Sequence, residues 1–320
     1  MKKAVIVSIL VGGIWGNISA PVVQPAIAQS LPIVQPSPAP ANTSKIELLD
    51  AGAEPRRELK FRPVVNSKQT VTMTMGMSME MSIGETPLPK TPIPNMVLKI
   101  DAIVRQVDPS GDIHCSFAYS DARAIASRDT QPEVLAAMQK SLKSMVGIKL
   151  DLVIDSSGKL KRKNLILPKN IDPTIKQALS QFDRAMEQLS TQLPVEQVGL
   201  GAKWRVNNSL QVAGIQFNQS STNEIVEMNQ TGMTVKTTVT QSAPPQDVPM
   251  PEAGKEVKGK IISLISSGEG SYVMLFDSLL PVAGKSLTNT DSKTSVQMSA
   301  SEPITNMSSK ISIDLNISSK

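Results

Sequence analysis

Histidine and cysteine occur once each, as the adjacent His114 and Cys115, and aromatic residues make up 3% of the 320 residues. A single thiol cannot close an internal disulfide, so the fold must rest on its apolar core. Neighbouring strand residues face opposite sides, so His114 and Cys115 can neither share a metal nor act as base and nucleophile. One histidine also rules out H-E-x-x-H, and neither G-x-S-x-G nor a phosphate-cradling glycine loop occurs. Ser156-Ser-Gly-Lys159 has the S-x-x-K spacing without its partner motifs, and it reads as a hairpin turn. No pair of carboxylates stands out. Enzyme activity and a cofactor are therefore not expected.

Long apolar runs are missing too. The longest, Ala4–Trp15, follows Lys2 and Lys3 and precedes Ala26-Ile27-Ala28. About 12 residues cannot span a bilayer, which needs roughly 20, and the pattern is that of a secretory signal cleaved after Ala28. No cysteine sits at that site to carry a lipid anchor, and no transmembrane segment is expected. The formal charge of +5 falls to about +3 without Lys2 and Lys3. That is too weak to suggest nucleic acid as a partner. The expected product is an exported, periplasmic or extracellular protein.

What the chain has is methionine, 16 residues of it. Val71, Met73, Met75, Met77, Met79, Met81 and Ile83 alternate with small or polar residues across Gln69–Ile83. Strict alternation predicts a β-strand with one dry face. At about 3.3 Å per residue it runs roughly 50 Å, so it must twist and its partners must be long.

Residues 29–57 form a Pro/Ser/Ala-rich tether, with order expected near Glu58–Val65. Residues 58–320 read as one β-rich domain. Strands are expected at 96–107 and from Ile113 onward, joined by the turn Asp108-Pro-Ser-Gly111. Amphipathic helices are expected at Pro132–Met145 and over 173–190, where Asp172 is the N-cap. A hairpin joins 148–154 to 160–167, with Lys159, Lys161 and Lys163 guarding an edge strand. Further strands are expected at 203–217, 221–230, 233–241, 257–266, 271–277, 292–300 and 307–317. The order strand, Pro-rich loop, strand, turn, strand recurs about 160 residues later, with Ser267-Gly-Glu-Gly270 as the second turn, which suggests duplicated halves at 58–192 and 193–320. The expected fold class is α+β: a long curved antiparallel sheet with two amphipathic helices on its apolar face.

The stretch Leu193-Pro-Val-Glu-Gln-Val-Gly-Leu-Gly-Ala-Lys-Trp204 resembles a family of uncharacterised bacterial exported proteins that carry Val-Gly-x-Gly-x-x-Trp before a strand. That resemblance implies no activity. In architecture the chain resembles the lipoprotein-carrier (LolA/LppX-like) fold, a curved antiparallel sheet that holds acyl chains, and this implies a hydrophobic ligand. The methionine face has three readings. It is packing core, a cradle for a lipid or other hydrophobic small molecule, or a Cu(I) site of Met73, Met75, Met77, Met79 and Met81. The leading expectation is a non-catalytic envelope protein that binds a hydrophobic ligand on Val71, Met73, Met75, Met77, Met79, Met81 and Ile83. The alternatives are a structural or protein-interaction module with a closed core, and copper binding.

Overall fold

The computed structural model describes residues 45–320 apart from 91, 128, 172–175, 177–192, 213–214, 249–257 and 298–300. Seven strands form the first part: β1 (Lys45–Asp50), β2 (Lys68–Ile83), β3 (Thr86–Pro87), β4 (Asn95–Val107), β5 (Ile113–Ile125), β6 (Lys149–Ile154) and β7 (Leu160–Ile166). The second part holds β8 (Lys203–Val212), β9 (Ile215–Met228), β10 (Gly232–Ala243), β11 (Gln246–Val248), β12 (Lys258–Leu275), β13 (Ala283–Gln297) and β14 (Thr305–Ser319). One helix, α1 (Pro132–Lys143), lies between β5 and β6.

All fourteen strands share one antiparallel sheet in the order β1-β8-β9-β10-β12-β13-β14-β2-β4-β5-β6-β7, with β3 on β2 and β11 on β12. Two meanders, β2 to β7 and β8 to β14, are stitched together by the pairing of β14 with β2. Eight strand spacings separate β8 from β5, about 38 Å if the sheet were flat. Yet Trp204 and Val206 of β8 share one buried cluster with Val104 of β4 and Ile113 of β5. The sheet is rolled into an open barrel with β1 and β7 at its edges.

The fold is mostly antiparallel β, with 63% strand and 6% helix, so the expected α+β class with two helices is corrected. Among the described residues α1 is the one helix of any length; the helix expected over 173–190 falls outside them except for Lys176, which is helical. Pro132 at its start, Glu133 in its first turn and Lys140 and Lys143 in its last suit the helix dipole. Its apolar stripe buries Met138 and Leu142 against Met75, Met96, Leu98 and Ile311.

Several boundaries move. β1 lies inside the expected tether, where Ile46 and Leu48 pack onto the cluster around Trp204. The strand expected at 203–217 is two strands, with Val212 opposite Ile215. Ser267-Gly-Glu-Gly270 is no turn: β12 runs straight through it, paired with β10 and β13 on either side. The duplicated strand-turn-strand correspondence fails at that point.

Candidate functional site

The register brings distant residues into rows across the concave face. Trp204 lies opposite Asn223, Asn223 opposite Thr237, Thr237 opposite Gly270 and Gly270 opposite Ser286. The row continues through Leu315 to Met75. Polar or small residues thus occupy β9, β10, β12 and β13, and apolar ones occupy β14 and β2. The neighbouring row, Val239, Gly268, Thr288 and Ile313, changes character at the same seam.

Beneath this surface is a cavity of about 600 Å³. One wall is apolar: Val71, Met73, Ile100, Phe117, Leu150, Leu152, Leu315 and Ile317. The facing wall carries Asn208, Gln219, Ser221, Asn223, Thr237, Ser286 and Thr288. Among the described residues Glu269 is the one charged residue at its border, but it is exposed and lies in register with the outward Leu287 and Thr238. The Tyr272 ring lies over Gly270 and Gly284, where a Cβ would come within 3.0 and 2.6 Å of it. Glycine at these two positions lets the ring lie flat and keeps the space open. Burial pushes the Tyr119 phenol, on the apolar wall, up to about 12.

One end is closed by a strap, residues 51–62. Its Phe61 N–H donates to Ser156 of the β6–β7 turn (2.8 Å), and its Arg62 N–H to Phe276 beyond β12 (2.5 Å). Leu59 and Phe61 are buried, and Leu193 N–H donates to Ser157 (3.0 Å). The Arg57 guanidinium lies 4.9 Å from the centre of the Phe276 ring. The strap also explains the Val-Gly-Leu-Gly-Ala-Lys-Trp stretch. Arg57 and Val198 exchange backbone hydrogen bonds, Gly199 donates to Ala51 and Ala53 donates to Leu200. A Cβ on Gly199 would sit 1.8 Å from the Ala53 carbonyl oxygen. Gly201 turns with φ +82°, and the chain then enters β8, which buries Trp204.

The seven candidate residues of β2 divide. Val71 and Met73 line the cavity. Met75 is buried beneath α1, and Met77 and Met79 pack against the same core. Met81 and Ile83 are half-buried near the far end of the strand, where Leu88 N–H donates to the Met81 carbonyl. The methionines are thus not fully covered, and a cavity remains beside them. Trp204, Asn223, Tyr272 and Ser286 were not among the sequence candidates. The signal that could have found them is an isolated aromatic in a chain so poor in aromatics, and glycine alternating with Ser or Thr inside a long strand.

Cys115 faces inward beside Val104 and Leu152, and burial, helped by Asp151, pushes its thiol up to about 12. His114 faces outward and pairs with Asp108 at 2.9 Å. The His114 hydrogen bond holds the Asp108 carboxyl below its usual range. A larger trough of about 910 Å³ crosses the convex face of β2, β4, β5, β6 and β7. There Asp101 and Asp151 are already engaged by Thr70 and Ser116, among exposed Lys68, Arg105, Lys149 and Arg162. It is a solvated, mixed-charge surface. Among the described residues no group of His, Cys, Asp or Glu could hold a metal ion, and no helix is long and apolar enough to cross a membrane. Comparison with protein-family models and with curated proteins finds no match.

Proposed function

We propose that the protein is a non-catalytic exported envelope protein that holds one hydrophobic ligand inside its rolled sheet. The cavity carries this reading. Its volume, about 600 Å³, lies in the range of roughly 300–1,000 Å³ typical of single small-ligand sites, and one wall is predominantly apolar surface. Such a surface gains about 25 cal/mol for each Å² of apolar area covered. The likeness to the lipoprotein-carrier fold belongs to this proposal through the curved sheet alone. The signal sequence at 1–28 supports export.

The copper alternative is weaker, since Met75, Met77 and Met79 are engaged in packing beneath α1. The closed structural module keeps one supporting observation, the sealed core that α1 makes with β2, β4 and β14.

Native mass spectrometry of the chain, purified without detergent and then mixed with single-chain lipids, tests the proposal. The expected result is one bound lipid per chain, lost in Val239→Trp, which fills the cavity from β10. No uptake by the unaltered chain, or equal uptake by Val239→Trp, overturns it.

A further inference from the structure

We infer that the ligand is a single-chain amphiphile with an uncharged head that accepts hydrogen bonds, seated on the row Trp204, Asn223, Ser286. This rests on the ligand-binding reading above and adds the class of ligand and its direction.

Three observations converge on that row. The Trp204 indole N–H has no acceptor among the described residues, although the residue is 2% exposed. Such an orphan is rare, because an unmet buried donor gives up its water without return. The Asn223 carboxamide is 9% exposed and its oxygen accepts from Thr237 Oγ1 at 2.8 Å, which leaves its NH2 as a donor. The Ser286 hydroxyl, three strands further along the same row, is also buried without a partner among the described residues. Gly270 stands between Thr237 and Ser286, and the Tyr272 ring rather than a side chain of its own lies over it. Among the described residues the one charged neighbour of the cavity these donors border is Glu269, exposed at its rim.

An ester, amide or hydroxyl oxygen meets those donors without needing a counter-ion. A carboxylate or phosphate head would lose its hydration with no cation to offset it. Across the seam at β14, Leu315 and Ile317 open the apolar wall that ends at Val71 and Met73, and the acyl or alkyl chain lies there. The row fixes the orientation: head toward β9, tail toward β2.

Displacement of a polarity-sensitive dye from the purified chain by a series of equal chain length tests this. The series is a monoacylglycerol, a primary fatty amide, a fatty acid fully ionised at the working pH, an alkyl phosphate and the plain alkane. The neutral heads are expected to bind at least about tenfold tighter than the ionised ones. Each donor removed, by Ser286→Ala or Trp204→Phe, is expected to reduce the advantage of the neutral head over the alkane about fivefold. Ser286→Ala deletes an unpartnered hydroxyl, so its unfolding midpoint is expected to equal or exceed that of the unaltered chain and to vouch for its fold. Binding that ignores the head, favours the anions or is unchanged in both variants overturns the inference and leaves ligand binding intact. Failure of every member to displace the dye overturns the binding reading itself.

Discussion

Two glycines, two residues apart, separate steric from conformational demand. Gly199 and Gly201 both lie in the connection that the strap crosses before β8. At Gly199 an added Cβ would sit 1.8 Å from the Ala53 carbonyl oxygen, so Gly199→Ala must drive the strap away. Four backbone hydrogen bonds hold the strap there: two between Arg57 and Val198, one from Gly199 to Ala51 and one from Ala53 to Leu200. At about 1 kcal/mol net each, their loss is about 4 kcal/mol. Gly201 has φ +82° and nothing within 4 Å of the position a Cβ would take. Gly201→Ala therefore meets only left-handed strain, about 1–2 kcal/mol. Urea unfolding followed by far-UV circular dichroism gives both values, provided the slope is common to the variants. The expected order is Gly199→Ala well below Gly201→Ala, with faster amide exchange at Phe61 and Arg62 only in the former. Equal losses, or a milder Gly199→Ala, refute the idea that backbone contact between strap and connection closes this end of the barrel.

Leu142→Ala, on the face of α1 that seals the core over Met75 and Met96, is expected to cost about 2–5 kcal/mol by urea unfolding, and a smaller loss means that α1 does not close that core. The Cys115 thiol, at about 12 against 9.0 for an ordinary one, has about a thousandfold less thiolate at neutral pH. Its reaction with a disulfide reagent should be very slow in the native chain and rapid in urea, and rapid native labelling contradicts the burial. Although burial opposes it, hydrogen bonds from the Ser157 hydroxyl and from the backbone of Lys159 and Ser157 hold the Asp155 carboxyl below 3.8. A lowered carboxylate adds stability above its unfolded value and loses it as pH falls through the folded one. The stability gap between the unaltered chain and Asp155→Asn is therefore expected to shrink below about pH 4, and a gap that widens in acid reverses the assignment.

What the sequence made legible follows from where the inner surface is dry. β2 and β14 were readable from their alternating Met and Ile, because both of their inward rows are apolar. Helix α1 was readable from its stripe and its Pro132 start. β12 reads as two strands broken at 267–270 and β13 only from 292 onward, since Ser266, Gly268, Gly270, Ser286, Thr288 and Thr290 all face inward. With polar or small residues on both faces the period of two vanishes, and Gly268 and Gly270 look like a turn. The same loss hid most of the cavity. Val71 and Met73 could be named because they belong to a dry strand, whereas the opposing wall exists only once the sheet is rolled. No local pattern encodes that approach. Tyr272 covering Gly284 is a cross-strand relation of this kind, fixed by register.

The change from polar to apolar between β13 and β14 also bears on which functional reading is the stronger. A closed core gains nothing from burying Gln219, Asn223, Ser266 and Thr290 on its inner face, since each must then be matched or cost free energy. The chain matches some of them internally, Thr290 with Ser266 at 2.9 Å and Asn223 with Thr237 at 2.8 Å. Trp204 and Ser286 stay unmatched among the described residues, at the row that borders the cavity. Apolar residues at those two positions would pack without that cost if sealing were all the wall had to do. A wall that sets Asn223, Thr237 and Ser286 among Val206, Val235 and Val239, facing a dry one across an unfilled space, is instead the distribution that an amphiphile of one chain and one neutral head complements.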